Sequence, residues 1–291
     1  MIPLLYRDRR AEGNTRLRQC QLVQLHLLYV FDRVCKENGL DYLLEGGTLL
    51  GAMRHNGFIP WDDDLDVGMP MQDYKKFLKI ADKVLPKDVY LDNPAATKHI
   101  DIPFAKLRDA YSFYFEPSDS QKTNDPTGIY IDIFPYEEVP DMPYWLQKLF
   151  IKGCGSMWSR TRYFYNRAHG LICGVAFSIL GWLCSVVHFM VRCSLWIISC
   201  ARRGEYCYVI LERGDTYRYR KAWMFPPALH EFEDGIFPIP NNADGILEAQ
   251  YGDWRKLPPE EERFRHATII DPFCAAVSPR SMVYPGNESS D

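Results

Sequence analysis

Between Trp61 and Gly68 the chain sets Asp62, Asp63, Asp64 and Asp66 among Leu65 and Val67. Four carboxylates within five residues repel one another. Yet Leu65, Val67 and Met69 alternate with Asp64, Asp66 and Gly68 at the period of a half-buried strand. An acidic strand face of this kind calls for a cation. Alternate side chains of a strand share a side, so Asp62, Asp64 and Asp66 are expected to converge on a hard divalent ion, Mg²⁺ or Mn²⁺. An ion held this way bridges nucleotide phosphates and offsets charge developing on a transferred phosphoryl group. Upstream, Tyr42–Leu44 reads as a buried strand entering a tight turn at Gly46-Gly47, whose backbone can approach a phosphate closely. A short helix, Thr48–His55, follows and ends at Asn56-Gly57.

Three other readings of the acidic run compete. A solvated acidic turn is the usual fate of a charge run, but the embedded apolar residues oppose it. A calcium loop would take Asp62, Asp64 and Asp66 as its first, third and fifth positions; the sixth is Val67 instead of Gly and the twelfth is Asp73 instead of Glu. A Walker loop fails because no Gly-Lys-Ser/Thr follows the glycines.

The periodicity elsewhere predicts an amphipathic helix from Asn14 to Gly39, with Asn14 or Thr15 as its cap, and another over Met71–Val84. A strand is expected through Asp64, Leu65, Asp66 and Val67, ending at Gly68 and Pro70, and others at Ile102–Leu107, Tyr111–Phe115 and Ile129–Phe134. Helices are expected from about Tyr144 to Ile210, strand and turn at Lys221–Phe225 and Phe232–Pro240, and a final helix, Ala243–Tyr251, capped by Asn242. The implied class is α/β or α+β around a mixed sheet. The expected organisation is a catalytic core over 1–143, a helical apolar insertion over 144–212, and a part over 213–291 that completes the core.

A net charge of −4 gives no global electrostatic case for a nucleic-acid partner. Nine cysteines without Cys-x-x-Cys or zinc-finger spacing read as reduced thiols, and MIPLLYRDRR lacks a signal-peptide pattern. Both point to a cytoplasmic chain.

The run from Leu44-Glu45-Gly46-Gly47-Thr48 through Arg54-His55-Asn56-Gly57 to Trp61-Asp62-Asp63-Asp64-Leu65-Asp66-Val67 resembles the signature of the LicD family of phosphocholine transferases. That family is similar to fukutin and fukutin-related protein and belongs to the nucleotidyltransferase superfamily typified by DNA polymerase beta. Further matching blocks are Lys106-Leu107-Arg108, Tyr130–Pro135, Phe232-Glu233 and Tyr251–Trp254. The resemblance implies a polymerase-beta-like core in which Asp64 and Asp66 form the acid pair, Asp132 the third acid, and Asp62 a further ligand as in the fukutin-related branch. Gly46, Gly47 and Thr48 would meet the donor with Arg54, Lys106 and Arg108 as phosphate-binding cations.

The implied reaction is Mg²⁺- or Mn²⁺-dependent transfer of phosphocholine from CDP-choline to a hydroxyl of a cell-surface glycan, such as lipopolysaccharide or teichoic acid, or of its lipid-linked precursor. Another CDP-alcohol, carrying ribitol or glycerol phosphate, is the alternative donor. An inactive glycan-binding scaffold is the alternative outside enzymes. Asp132 has a second reading as a core carboxylate paired with an arginine. Glu45 is read as orienting Arg54 or the donor head group. Trp61, Tyr130 and Trp254 offer an aromatic cage for choline, against core packing for each. His55 is read as structural.

From Leu171 to Val191 there are 21 residues without Asp, Glu, Lys or Arg. That length meets the rough 20-residue requirement of a membrane span, but family-like blocks on both sides oppose a single crossing. The preferred expectation is a helical insertion buried against the domain or a partner. The second is peripheral contact of 168–203 with the inner face of the cell membrane, flanked by Arg160, Arg162, Arg167, Arg192, Arg202 and Arg203.

Overall fold

The computed structural model describes residues 8–93, 104–116, 127–140, 206–211, 216–263 and 265–274, with individual residues between 179 and 197. The architecture is mixed α and β, in line with the α+β expectation. The chain forms two compact units: Met1–Ile100, Phe104–Pro135 and Ala222–Asp291 make one, Asp101–Pro103 and Tyr136–Lys221 the other.

In the first unit, helix α1 (Arg16–Asn38) starts at Thr15, whose side chain accepts from the Arg18 N–H, and ends at Gly39 in the left-handed region. The expected one-sided stripe is exceeded, since every residue from Cys20 to Asp32 is buried. A helix enclosed all round must satisfy its polar side chains internally. Asp32 accepts from Tyr42 and Lys36, and Gln21 and Gln24 donate to loop carbonyls described below.

Strand β1 (Leu43–Leu44) leads into α2 (Gly46–His55), so the glycines form the helix's first turn and not a turn before it. Asn56 closes α2 in the left-handed region, its N–H bonding Ala52 O. Strand β2 is Asp66–Pro70 and α3 Met71–Val84, the latter burying Tyr74, Phe77 and Ala81 as its spacing predicts. Strand β3 (Val89–Asp92) carries no clear sequence signal. Then come β4 (Ala105–Asp109), β5 (Phe113–Phe115) and β6 (Tyr130–Pro140), the last longer than expected. Residues Ile102 and Pro103 of the expected strand Ile102–Leu107 lie outside the described residues.

The sheet order is β1-β2-β6-β4-β3. Strand β4 runs antiparallel to β6 with Lys106 opposite Asp132 and Arg108 opposite Tyr130. This register places a cation directly across from the third expected acid. Ile129, Ile131 and Ile133 are fully buried, and Tyr130, Asp132 and Phe134 are nearly so, so β6 is a central strand with both faces covered.

In the second unit, β6 continues from Tyr136 and pairs with β7 (Tyr206–Leu211), which pairs with β8 (Thr216–Arg220). The helical region expected to reach Ile210 therefore gives way to a strand by Tyr206. Most of the expected helical stretch from Tyr144 onward lies outside the described residues. Each described residue between 179 and 197 is helical. Their large apolar side chains, among them Ile179, Trp182, Phe189 and Met190, are exposed. The expected burial of the insertion against the domain or a partner concerns a stretch, 144–212, most of which lies outside the described residues. No helix among the described residues is long and apolar enough to cross a membrane.

Lys221–Met224 is a helical turn in place of the expected strand, because β8 ends at Arg220 and leaves no ladder to join. Strands β9 (Ala228–Phe232) and β10 (Gly235–Ile239) form a hairpin within the expected Phe232–Pro240 stretch and before it. Helix α4 (Ala243–Tyr251) is capped by Asn242 as predicted, its side chain accepting from Gly245 N. A last strand, β11 (Ile269–Asp271), pairs with β5.

Candidate active site

The acidic loop is held open in an unusual way. Strand β2 begins only at Asp66, so Asp62 to Leu65 lack the ladder the alternation argument assumed. Helix α1 supplies the missing partners: Gln21 Nε2 donates to Asp62 O at 2.9 Å and Gln24 Nε2 to Asp63 O at 2.7 Å. On the other flank Asp132 N donates to Leu65 O, and Thr48 Oγ1 accepts from Asp66 N at 2.8 Å. Thr48, expected at the donor, thus holds the strand that carries Asp66.

These supports sort the aspartates into two groups. Asp64, Asp66 and Asp132 each bring one carboxylate oxygen within 4.8 Å of the others. Asp62 falls in a second grouping, with Asp63 and His266. Three of the four expected ligands thus share one grouping and the fourth borders it. Asp63, fully buried, serves a different purpose: its two oxygens accept the backbone N–H groups of His266 and Ala267, each at 2.9 Å. That clamp, extended by the β5–β11 ladder, brings His266 Nε2 to 3.9 Å from Asp64 Oδ2. His266 was not identified from sequence, because nothing near it marks a site and its anchor lies 203 residues away.

The glycines open the space these carboxylates occupy. A Cβ on Gly46 would stand 3.0 Å from Asp66 Oδ2, and one on Gly47 3.0 Å from Asp62 Oδ2. Gly46 also sits at φ +51°, where an L side chain is strained. Gly46→Ala is expected to destabilise the protein by about 1–2 kcal/mol from the backbone alone, read as a lower midpoint in urea. An unchanged midpoint would show that the position does not require glycine.

Burial pushes the carboxyl of Asp62 up to about 6 and that of Asp64 to about 6, each partly opposed by His266. Burial pushes Asp132 to about 7, opposed chiefly by Lys106. Lys106 is itself buried: its Nζ lies 3.0 Å from Asp132 Oδ1 and over the Tyr130 ring, 3.3 Å from the centroid. The second reading of Asp132, a core carboxylate paired with an arginine, is thus met in altered form, by a lysine.

Arg108 is turned elsewhere, its Nε on Asp92 and its Nη1 on Gly128 O. Arg54 stands eight residues along α2 from Gly46, roughly 12 Å at 1.5 Å per residue. It donates to His55 Nε2, Trp254 O and Lys256 O. Those contacts fasten the segment after α4 and do not aim Arg54 at the three acids. One face of each candidate cage ring carries a side-chain cation: Arg263 over Trp61, Lys106 and Arg108 over Tyr130, and Arg255 over Trp254.

The donor set fits a hard divalent ion. Three carboxylates converge, their charge is costly when buried, and Asp132 Oδ1 is buried with no hydrogen bond in good geometry, only the Lys106 ion pair.

Asp66 and Asp132 on the central sheet, with Asp64 just ahead of β2, converge beside the N-terminus of a glycine-led helix in an α+β protein. Sequence comparison makes this specific. The family described as LicD/FKTN/FKRP, nucleotidyltransferase domain, matches residues 39–164. The lipopolysaccharide cholinephosphotransferase LicD of Haemophilus influenzae is 30% identical over 266 residues, 86% of this chain and 95% of that protein. The chain belongs to the LicD family. Human ribitol 5-phosphate transferase FKRP is 52% identical over 40 residues, 14% of this chain and 8% of its own. Mouse ribitol-5-phosphate transferase FKTN is 29% identical over 115 residues, 40% of this chain and 21% of its own.

Proposed function

We propose that the protein is a phospho-alcohol transferase that moves phosphocholine from CDP-choline to a hydroxyl of a cell-surface glycan or its lipid-linked precursor. The observation that carries the reading is the convergence of Asp64, Asp66 and Asp132 next to Gly46 and Gly47. The likeness to a lipopolysaccharide cholinephosphotransferase along nearly its whole length supports the donor and acceptor classes.

Asp64, Asp66 and Asp132 would hold Mg²⁺ or Mn²⁺, which when bound supplies Lewis-acid stabilisation of the pyrophosphate charge. Asp62, beside Gly47, borders the same end of α2 as a further carboxylate. The glycine-led turn leaves room for the donor phosphates against backbone N–H groups. Lys106 supplies a buried positive charge across from Asp132. The acceptor oxygen attacks the phosphorus bearing the alcohol, the bond from that phosphorus to the CMP oxygen breaks, and CMP leaves with the bonding pair. The hydroxyl proton passes to Asp132.

A second donor reading has its own support. The FKRP and FKTN relatives are named as ribitol 5-phosphate transferases, and the three rings suited to a choline cage already carry side-chain cations. Transfer of ribitol or glycerol phosphate from the corresponding CDP-alcohol is that alternative.

The test is CMP release from CDP-choline, CDP-ribitol and CDP-glycerol with a glycan acceptor. The expected result is release from one dominant donor, lost in EDTA and restored by Mg²⁺. Release from none of the three would overturn the proposal, and so would full activity in EDTA.

A further inference from the structure

Charge is unevenly divided along this chain. The unit of Asp101–Pro103 and Tyr136–Lys221 holds twelve Lys and Arg against seven Asp and Glu, a surplus of five positive charges in a chain whose net charge is −4. The remainder is correspondingly acidic, so the positive surplus is a property of one unit.

That same unit exposes large apolar side chains. Among its described helical residues Phe189 is 68% exposed, Trp182 65% and Met190 62%, with Ile179, Leu183, Val187 and Ile197 also exposed. With Leu180, eight large apolar side chains among the described residues between 179 and 197 are exposed, and they are this unit's apolar face. Ser194 Oγ donates to Met190 O, the bond from one turn back that a helix offers. The face is more apolar than a water-facing helix sustains without a partner. The 21 uncharged residues from Leu171 to Val191 are bracketed in sequence by Arg160, Arg162 and Arg167 on one side and Arg192, Arg202 and Arg203 on the other.

We infer that this face docks on an anionic lipid surface. Trp182, Phe189 and Met190 enter the boundary between headgroups and acyl chains, and the unit's surplus of positive charge draws it to lipid phosphates. The charge distribution selects this occupant. A second copy would bring two positively charged units together, whereas an anionic bilayer offers an apolar interior under a negative rim, matching both properties of the face. The inference stands apart from the choice of donor.

The experiment is co-sedimentation of the full chain with vesicles of phosphatidylcholine alone and of phosphatidylcholine with phosphatidylglycerol. The expected result is pelleting with the anionic vesicles, weakened at high salt as the Debye length shortens. Trp182→Ser with Phe189→Ser is expected to lower partitioning about tenfold while leaving the thermal melt in place. Arg202→Glu with Arg203→Glu provides an independent variant that keeps every apolar side chain and is expected to lose the preference for anionic vesicles. Protein left in the supernatant with both vesicles would overturn the inference. So would undiminished pelleting of both double variants, or a dimer in light scattering that Trp182→Ser with Phe189→Ser dissolves without changing vesicle binding.

Discussion

Asp64→Asn is expected to lower CMP release about a thousandfold while raising the melting temperature of the metal-free protein at pH 8. Both effects have one source. Asp64 is buried beside Asp66 and Asp132, and its carboxyl is pushed up to about 6, first by burial. The folded chain therefore keeps a proton that the unfolded chain releases near 3.8. As pH rises from about 4 to about 6 this group increasingly penalises the folded state, and above that range the penalty is complete. Asparagine carries no such penalty and can keep the bond that Asp64 Oδ1 accepts from Leu65 N. The variant's advantage should grow through that window and level off on the order of 3 kcal/mol, a rise of several degrees in Tm. Added Mg²⁺ should raise the wild-type Tm and leave the variant unmoved. A variant less stable than wild type at pH 8, or one that retains turnover, would sink the account of the cluster.

Asp63→Ala should act in the opposite direction on stability. Asp63 is fully buried, and its carboxylate is the acceptor for two backbone N–H groups of the 265–268 segment. Truncation strands both donors and leaves a cavity, at a cost of about 3 kcal/mol. Denaturation midpoints in urea measure this. Turnover should fall as well although Asp63 is turned away from the three-acid cluster, because His266 and the strand behind it lose their tether. Asp63→Asn, which retains one acceptor oxygen, should fall between alanine and wild type. Equal midpoints for wild type and alanine would show that β5–β11 pairing suffices to hold the segment.

The two neighbouring aspartates also mark how far the sequence could be read. Helices α1, α3 and α4 were legible because cap residues and apolar spacing agree at Thr15, Gly39, Asn242 and the Tyr74, Phe77, Ala81 face. The trio of Asp64, Asp66 and Asp132 was reached by combining strand alternation with family resemblance. Alternation failed at Asp62, since the chain there is extended without a ladder and is braced instead by glutamine side chains of α1. The distinct purpose of Asp63 was hidden for the same reason: a clamp across 203 residues leaves no local pattern. Arg108, expected to bind phosphate, bonds Asp92 and Gly128, because register is a tertiary property. The short strands β3 and β11 carry too few residues for a period to emerge.

The clamp from Asp63 to His266 has a bearing on how the protein comes into being. Residues 62–66 leave the ribosome long before residues 266–271, so the growing chain carries its acids for most of synthesis with the final wall of the site still unmade. The acidic site is thus completed late, and a chain interrupted before residue 266 would possess all three acids of the cluster without the segment that Asp63 clamps beside them.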